Sequence, residues 1–266
     1  MENLKFTSRT QSYKDLKISY LGGVAISSKL VHSKSVNVAT YGVYLAPYDL
    51  SGYNVCPNSK HCKDTCLFKS GHAMMEILAG KNKIVNSRIK KTKLFFENKE
   101  LFMEILISEI ASAKKVWESK GFFFSVRLNC TSDIDINKFN YKGKNICDIF
   151  PDVQFYDYTK VYSYLDNVYK YPNYDITYSY NGYNDVTCKK ALERGFRIAV
   201  VFEKLPKAFN GYPVINGDNS DYRPMDGKNV VVGLKVKKTS TMVENNKFVI
   251  PKNRFIVRYD DKRCKK

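Results

Sequence analysis

The feature that most restricts the fold of this chain is a series of short apolar runs in its second half. They read FFFSVRLN, VQFYDYT, YDITYSY, FRIAVVFE and NVVVGLKV. Most are separated by enough residues for a crossover, for instance GYNDVTCKKALERG before the fourth run. Strands that are apolar on both faces and alternate with helices are typical of a parallel sheet with helices outside it. We therefore predict a single α/β domain with a mainly parallel sheet, built as a partial or complete β/α barrel.

The first half of the chain adds a hairpin, a strand and two helices to this plan. The segment YLGGVAIS indicates an early hairpin, with Gly22 and Gly23 at its turn. Alternating residues predict a strand over 36–45, and apolar residues at helical spacing predict a helix over 75–94. A clearer helix follows Asn98, a suitable N-cap, and stops at Gly121.

Length and composition agree with one globular domain. The chain has 266 residues, of which 44% are hydrophobic. We divide it into a lead-in or hairpin (1–35), a barrel-like domain (36–250) and a basic C-terminal tail (251–266). The N-terminus has no apolar signal core, and no run of about eighteen apolar residues occurs. We therefore expect a cytoplasmic protein without a membrane partner.

The charge of the chain favours an anionic partner. Lys and Arg number 44 against 26 Asp and Glu, which gives a net charge of +18. Such an excess is typical of proteins that bind nucleic acid or a phosphorylated small molecule. The segment 81–93 has six basic residues and no acid, so it is either a patch that follows phosphates or an ordinary solvated helix face.

Polar residues follow the apolar runs at the point where each predicted strand ends. In parallel α/β folds the carboxyl ends of the strands carry the functional sites. We predict that Asp133, Asp157 and Lys160 are catalytic and that Asn129, Ser132 and Ser179 bind a ligand.

The loop VINGDNSDYRPMDGK is a second candidate. Its Asp218 and Asp221 suit either a hard cation or a substrate contact, although the spacing does not match an EF-hand loop. We favour substrate contact or loop structure over a metal site.

Three of the seven cysteines are clustered. Cys56, Cys62 and Cys66 have the spacing C-x5-C-x3-C, in a loop rich in positive charge. Thiolates bind zinc or the irons of an iron–sulfur cluster. A structural zinc site would take His61 or His72 as its fourth ligand, whereas a 4Fe–4S cluster held by three thiolates keeps one iron open to a small molecule. The loop follows the first strand, so we expect the thiols at the same edge of the sheet as Asp133.

This layout resembles that of radical S-adenosylmethionine (SAM) enzymes, which hold three cysteines in the loop after the first barrel strand. The resemblance implies a 4Fe–4S cluster on Cys56, Cys62 and Cys66, and S-adenosylmethionine as a ligand. The spacing departs from the common C-x3-C-x2-C, and no Gly-Gly-Glu segment follows the second strand.

A more extensive resemblance covers the chain from Tyr41 to Ile250. Segments such as CPNSKHCKDTCL, VRLNCTSDI, FPDVQFYDYTK and GYPVINGDNSDYRPMDGKNVVVGLKVK are similar to the phage-encoded gene product 88 domain family. One departure is Cys130, where the family motif leads us to expect glycine. The resemblance implies a phage origin, hence the host cytoplasm, and carries little about activity.

These observations leave three functional hypotheses. The first is an iron–sulfur enzyme resembling radical SAM proteins that acts on an anionic or nucleic-acid-related substrate. The second is a zinc-stabilised nucleic-acid-binding protein without catalysis. The third is a nuclease or phosphotransfer enzyme that uses a divalent metal on Asp133, Asp157, Asp218 and Asp221.

Overall fold

The computed structural model describes residues 9–31, 34–59, 62–63, 66, 68, 75–76, 79–237, 243–244, 247–251 and 253–265. The α-helices are α1 (Arg9–Leu16), α2 (Lys83–Glu97), α3 (Lys99–Glu118), α4 (Ile146–Ile149), α5 (Asn167–Lys170) and α6 (Asp185–Glu193). Short 3-10 helices cover Ile136–Lys138, Tyr162–Asp166 and Gly217–Asn219.

The strands of the first half are β1 (Gly22–Val31), β2 (Lys34–Val43), β3 (Phe123–Arg127), β4 (Asn140–Tyr141) and β5 (Lys144–Asn145). Those of the second half are β6 (Gln154–Thr159), β7 (Tyr174–Ser179), β8 (Ile198–Phe202), β9 (Ala208–Phe209), β10 (Tyr212–Asn216), β11 (Val231–Lys235), β12 (Val243–Glu244), β13 (Lys247–Phe248), β14 (Ile256–Val257) and β15 (Cys264–Lys265).

Most of the strands form one large, mainly parallel sheet, as predicted. Its order is β1-β2-β3-β6-β7-β8-β11-β10-β9-β15, and every pair from β2 to β10 is parallel. All five apolar runs become strands of this sheet. The prediction of a single α/β domain is thus confirmed. The pairings seen among the described strands do not join the two ends of the sheet into a closed barrel.

The N-terminal hairpin exists, but its turn does not lie where the glycines suggested. Strand β1 begins at Gly22 and pairs antiparallel with β2 along its whole length, from Gly22 opposite Val43 to Val31 opposite Lys34. The pair Gly22–Gly23 therefore starts a strand. Residues 32–33, which connect the two strands, lie outside the described residues. The predicted strand over 36–45 is β2, shifted two residues towards the N-terminus.

Helices α2 and α3 cover one face of the sheet. Asn98 caps α3, since its side chain accepts a hydrogen bond from Leu101 N at 3.2 Å. Gly121 has a φ of +78°, and the chain turns away there after the helix ends at Glu118. The apolar face of α3 enters the main core with residues such as Phe102, Leu106 and Ile110. These contacts confirm the predicted helix.

Glu109 ties this helix to the hairpin. Its side chain is only 4% exposed. One carboxylate oxygen accepts hydrogen bonds from Tyr13 Oη and Leu21 N, and the other accepts them from Tyr41 Oη and Gly22 N. Four donors compensate for the burial of this charge, so Glu109 fixes where the hairpin meets the helical layer.

A loop covers the opposite face of the sheet. Tyr222 packs there in a small cluster with Val38 and Tyr156. Its neighbour Arg223 is almost fully buried and forms an ion pair with Asp226 at 3.1 Å. This loop, residues 217–227, therefore packs on the second face of the sheet and buries side chains there.

The C-terminal segment completes the sheet. β14 pairs parallel with β8 at Val201 and Phe202, beyond the point where β7 ends, and β15 pairs with β9. The residues described as a basic tail thus contribute two short strands. No helix within the described ranges is both long and apolar enough to cross a bilayer.

Candidate functional site

A cavity of about 230 Å³ lies at the carboxyl end of the parallel strands. Residues at or after the ends of β3, β6 and β7 supply its polar side, including Arg127, Lys160 and Ser179. Residues of β8 and the C-terminal segment supply apolar wall, including Val201 and Ile256. The cavity therefore combines an apolar body with a few charged groups, as ligand sites usually do.

Most of the predicted site residues meet at this cavity. Those that line it are Cys56, Cys62, Cys66, Asn129, Ser132, Asp133, Lys160, Ser179 and Asp221. Asp157 and Asp218 are the two predicted residues that do not line it. The thiols therefore share this edge of the sheet with Asp133 and Lys160, whereas Asp157, which was predicted with them, does not line the cavity.

The cysteine loop is held by hydrogen bonds to two strand ends. Asn58 donates from Nδ2 to Lys160 O at 2.8 Å, which joins the loop to the end of β6. Asp133 N donates to Val55 O at 2.7 Å, which joins it to the segment after β3. The loop is therefore positioned by the same strands that carry the predicted catalytic residues.

Two of the thiols in this loop, Cys56 and Cys62, have long hydrogen-bond contacts. Tyr48 N donates to Cys56 Sγ at 3.3 Å, and the Cys62 thiol lies 3.5 Å from Ser59 O. Within the described ranges no three Cys, His, Asp or Glu side chains lie close enough together to surround a metal ion. The three thiols share a cavity without meeting at one point. His61 and His72, the predicted alternative zinc ligands, lie outside the described residues.

The electrostatics of the cavity couple the thiols to Lys160. Burial raises the pKa of the Cys56 thiol to about 12, and the adjacent Asp133 acts in the same direction, while Lys160 opposes it. Burial alone would lower the pKa of Lys160, but the negative charge of Cys62, Asp133 and the other two thiols raises it. Lys160 is therefore a cation beside the thiols, while Cys56 stays a neutral thiol at neutral pH.

Asp133 is fixed in the wall of the cavity. Its carboxylate accepts hydrogen bonds from Thr159 Oγ1 at 2.7 Å and from Lys160 N at 2.8 Å. Burial raises its pKa, although these two hydrogen bonds lower it. Both donors come from the end of β6, so Asp133 joins the ends of two neighbouring strands.

Asp157 lies behind the cavity, on the other face of β6 from Tyr158. Its two oxygens accept hydrogen bonds from Asn129 N at 2.8 Å and Asn129 Nδ2 at 3.1 Å. Asn129 in turn accepts from Ser132 Oγ and Ile134 N, at 2.8 and 2.9 Å. Asp157 thus orients the turn that follows β3, and its predicted catalytic role stays a prediction.

The remaining predicted residues divide between cavity and loop. Ser179 lies at the end of β7, on the cavity wall. Asp221 reaches the cavity from the loop 217–227. Asp218 instead accepts a hydrogen bond from Lys235 N at 2.9 Å and lies 3.9 Å from Lys237 Nζ. Asp218 therefore serves loop structure, one of the two roles considered for it.

Three features of the cavity were missed in the sequence. Cys130, interpreted as incidental, lines the cavity together with the triad. Arg127 also lines it, and its guanidinium lies 4.6 Å from the centre of the Tyr158 ring. Phe255 closes it from the C-terminal segment. A charged residue inside the otherwise apolar run FFFSVRLN was the available signal for Arg127.

Comparison with known proteins identifies the family but not the activity. No curated protein and no solved structure matches the chain. The family model described as Gene product 88 matches residues 8–254, nearly the whole chain and all of the strands that build the cavity up to β13. The chain therefore belongs to the gene product 88 family of phage proteins.

Proposed function

We propose that this protein is an iron–sulfur enzyme that resembles radical SAM proteins, with Cys56, Cys62 and Cys66 as the ligands of a 4Fe–4S cluster. The observation that carries the proposal is the position of these three thiols on the wall of a ligand-sized cavity at the carboxyl end of a parallel sheet. The proposal includes a partial β/α barrel, since β2, β3, β6, β7 and β8 are neighbours in chain order.

The donor types present suit such a cluster, which would have to draw together three thiols that do not meet at one point within the described residues. The donor set is three thiols on one loop, and Lys160 beside them offsets the charge of thiolates. When bound, a cluster with one iron free of protein ligands supplies one-electron chemistry to a molecule in the cavity.

The other cavity residues would position that molecule. Asp133 is held rigidly by Thr159 and by Lys160 N, so its free lone pairs have a fixed direction. The Lys160 ammonium and Asp221 carry opposite charges into the same space. Asn129, Ser132 and Ser179 offer amide and hydroxyl groups. We assign the binding of S-adenosylmethionine and of an anionic or nucleic-acid-related substrate to this set.

The geometry favours this proposal over the two alternatives. A structural zinc site is normally closed by four protein ligands, whereas these thiols border an open cavity. A two-metal nuclease needs convergent carboxylates, whereas Asp157 and Asp218 are occupied with Asn129 and with Lys235 N.

Anaerobic purification followed by metal and sulfide analysis tests the proposal. We expect about four iron atoms per chain, charge-transfer absorption in the visible range and an electron paramagnetic resonance signal after reduction. Replacement of each triad cysteine by serine should remove most of the iron. Cys188→Ser is the matched control, because that thiol is buried in α6, outside the cavity.

Stoichiometric zinc without iron or sulfide would refute the proposal. The zinc-stabilised nucleic-acid-binding protein would then take its place. That alternative requires salt-sensitive binding to DNA or RNA that weakens when the exposed lysines Lys83, Lys90 and Lys93 of α2 are replaced by glutamate.

A further inference from the structure

The most unusual group in the cavity is the Arg127 guanidinium. Its Nε is fully buried and has no hydrogen-bond partner. Within the part of the chain that the structure describes, no carboxylate lies within ion-pair distance of Arg127, and its guanidinium donates no hydrogen bond. A guanidinium stays protonated in proteins and has five donors to satisfy. Arg127 is thus a cation largely withdrawn from water that has no ion-pair partner among the described residues, although the buried Asp157 is close enough to interact with it electrostatically.

Arg197 and Arg223 also have a buried Nε without a hydrogen-bond partner, but both of these arginines are ion-paired. Arg197 is paired with Asp175 and also donates to Asp226 O at 3.1 Å. Arg223 is paired with Asp226 at 3.1 Å. Neither of them lines the cavity. Of these three arginines, the one without an ion pair among the described residues is the one that lines the cavity.

The surroundings of Arg127 leave its two terminal amino groups, rather than the buried Nε, available to a ligand. The Tyr158 ring stacks near the guanidinium, with 4.6 Å between Arg127 Cζ and the ring centroid. A ring beside the plane stabilises the cation and leaves its edge free to donate two parallel hydrogen bonds. Carboxylates and phosphates have the matching geometry.

The rest of the lining specifies the class of ligand further. The cavity is lined by four cationic side chains, Arg127, Lys160, Lys235 and Lys237, against two carboxylates, Asp133 and Asp221. Leu234, Val201 and Phe255 make much of the remaining wall apolar. A volume of about 230 Å³ admits a small molecule and excludes a nucleic-acid duplex.

We infer that the cavity binds a small organic anion, whose carboxylate or phosphate is held by Arg127 and whose body lies against the apolar wall. This inference deepens the proposed function and rests on it for the use of the cavity as the substrate site. It does not depend on which metal the thiols hold.

Calorimetric titration with three simple aromatic probes tests the inference on the full chain. Phenyl phosphate and benzoate carry the two candidate anions, and benzyl alcohol carries the same ring without charge. We expect at least one anion to bind at least about tenfold more tightly than the alcohol, the ratio typical of one charge-assisted hydrogen bond. The anion that binds more tightly identifies the head group.

Variants then locate the anion. Arg127→Gln should lose about tenfold or more in affinity for the preferred anion, with unchanged affinity for benzyl alcohol. Arg127→Lys, which keeps the charge but not the fork, should fall between the two. Arg194→Gln is the matched control, since Arg194 lies outside the cavity and pairs with Asp166.

Two results would overturn the inference. One is equal affinity of the wild-type protein for the anions and the alcohol, which needs no variant. The other is anion affinity that survives in Arg127→Gln. Iron content measured on the same samples separates the two proposals. Anion selectivity without bound iron would refute only the iron–sulfur cluster. Bound iron without anion selectivity would refute only the anion site.

Discussion

The carboxyl group of Asp157 should make the stability of this protein depend strongly on pH. Asp157 is 2% exposed, and burial raises its pKa from 3.8 to about 7. Arg127 and the two Asn129 donors act in the opposite direction without reversing the shift. Because the pKa in the folded state is the higher one, the folded protein keeps a proton that the unfolded chain has lost between about pH 3.8 and pH 7.

The sign and size of the effect follow from this difference. The free energy of unfolding should fall as the pH rises through that window and should not depend on Asp157 outside it. The difference between 3.8 and about 7 corresponds to about 4 kcal/mol, of which about 3 kcal/mol lies between pH 5 and pH 8. Such a loss is a large fraction of the stability of a typical domain.

Urea unfolding of the wild type and of Asp157→Asn at several pH values measures this contribution. The amide cannot ionise, and it places a donor against an Asn129 N–H, which costs about 1–3 kcal/mol at any pH. The variant should therefore be the less stable protein at pH 5, and the gap should shrink by about 3 kcal/mol by pH 8. For Asp148→Asn, a change at an exposed position, the difference in the free energy of unfolding from the wild type should stay constant between pH 5 and pH 8.

A gap that widens with pH would refute the reasoning. It would mean that the hydrogen bonds from Asn129 outweigh burial and keep Asp157 ionised in the folded protein. The turn after β3 would then be held by a charge, and its orientation would be lost in acid.

Three further changes test other contacts, each by the free energy of unfolding in urea. Glu109→Gln should cost about 2 kcal/mol, since the Tyr41 hydroxyl can turn to accept from the new amide while Gly22 N loses its acceptor. An unchanged free energy of unfolding would contradict the role of Glu109 in holding the hairpin. Gly42→Ala should cost about 1–3 kcal/mol, because the added Cβ would lie 2.7 Å from Cys130 Sγ, and almost nothing in a Cys130→Gly background; equal costs in both backgrounds would place the strain elsewhere. Ile256→Ala should cost about 2–4 kcal/mol and raise hydrogen exchange along β8, whereas a cost below about 0.5 kcal/mol would mean that β14 is not packed in solution.

The sheet was predictable because each of its central strands has a recognisable pattern in the local sequence. Each apolar run carries its own pattern, and helix α3, which precedes the first run, has its own period and the N-cap Asn98. The hairpin turn was misplaced for a physical reason. Gly22 and Gly23 suit a turn, but Glu109 takes the N–H of Gly22 from eighty-seven residues away, and this contact leaves no mark in the local sequence.

The candidate site was predictable only for residues whose position follows from where a strand ends. Lys160 follows β6 directly, Asp133 lies in the turn after β3 and the triad lies in the long loop after β2, so topology brings them together. The alternation of side chains along a strand explains why Asp157 was misplaced. Asp157 and Tyr158 are neighbours in the chain but face opposite sides of the sheet, and only Tyr158 lines the cavity. Cys130 and Phe255 reach the cavity through loop geometry, which a single sequence does not encode in a pattern.

The pairing of β14 with β8 has a consequence for how the protein is made. Residues 253–265 leave the ribosome after every other part of the cavity wall, so the nascent chain passes through a stage in which β8 has an unpaired edge beyond β7. During that stage the cavity lacks the part of its wall that Phe255 and Ile256 supply. An exposed parallel edge also invites pairing with another chain. Chains that end before residue 253 should therefore be the aggregating species, and the cavity is easiest to enter before residues 253–265 have emerged.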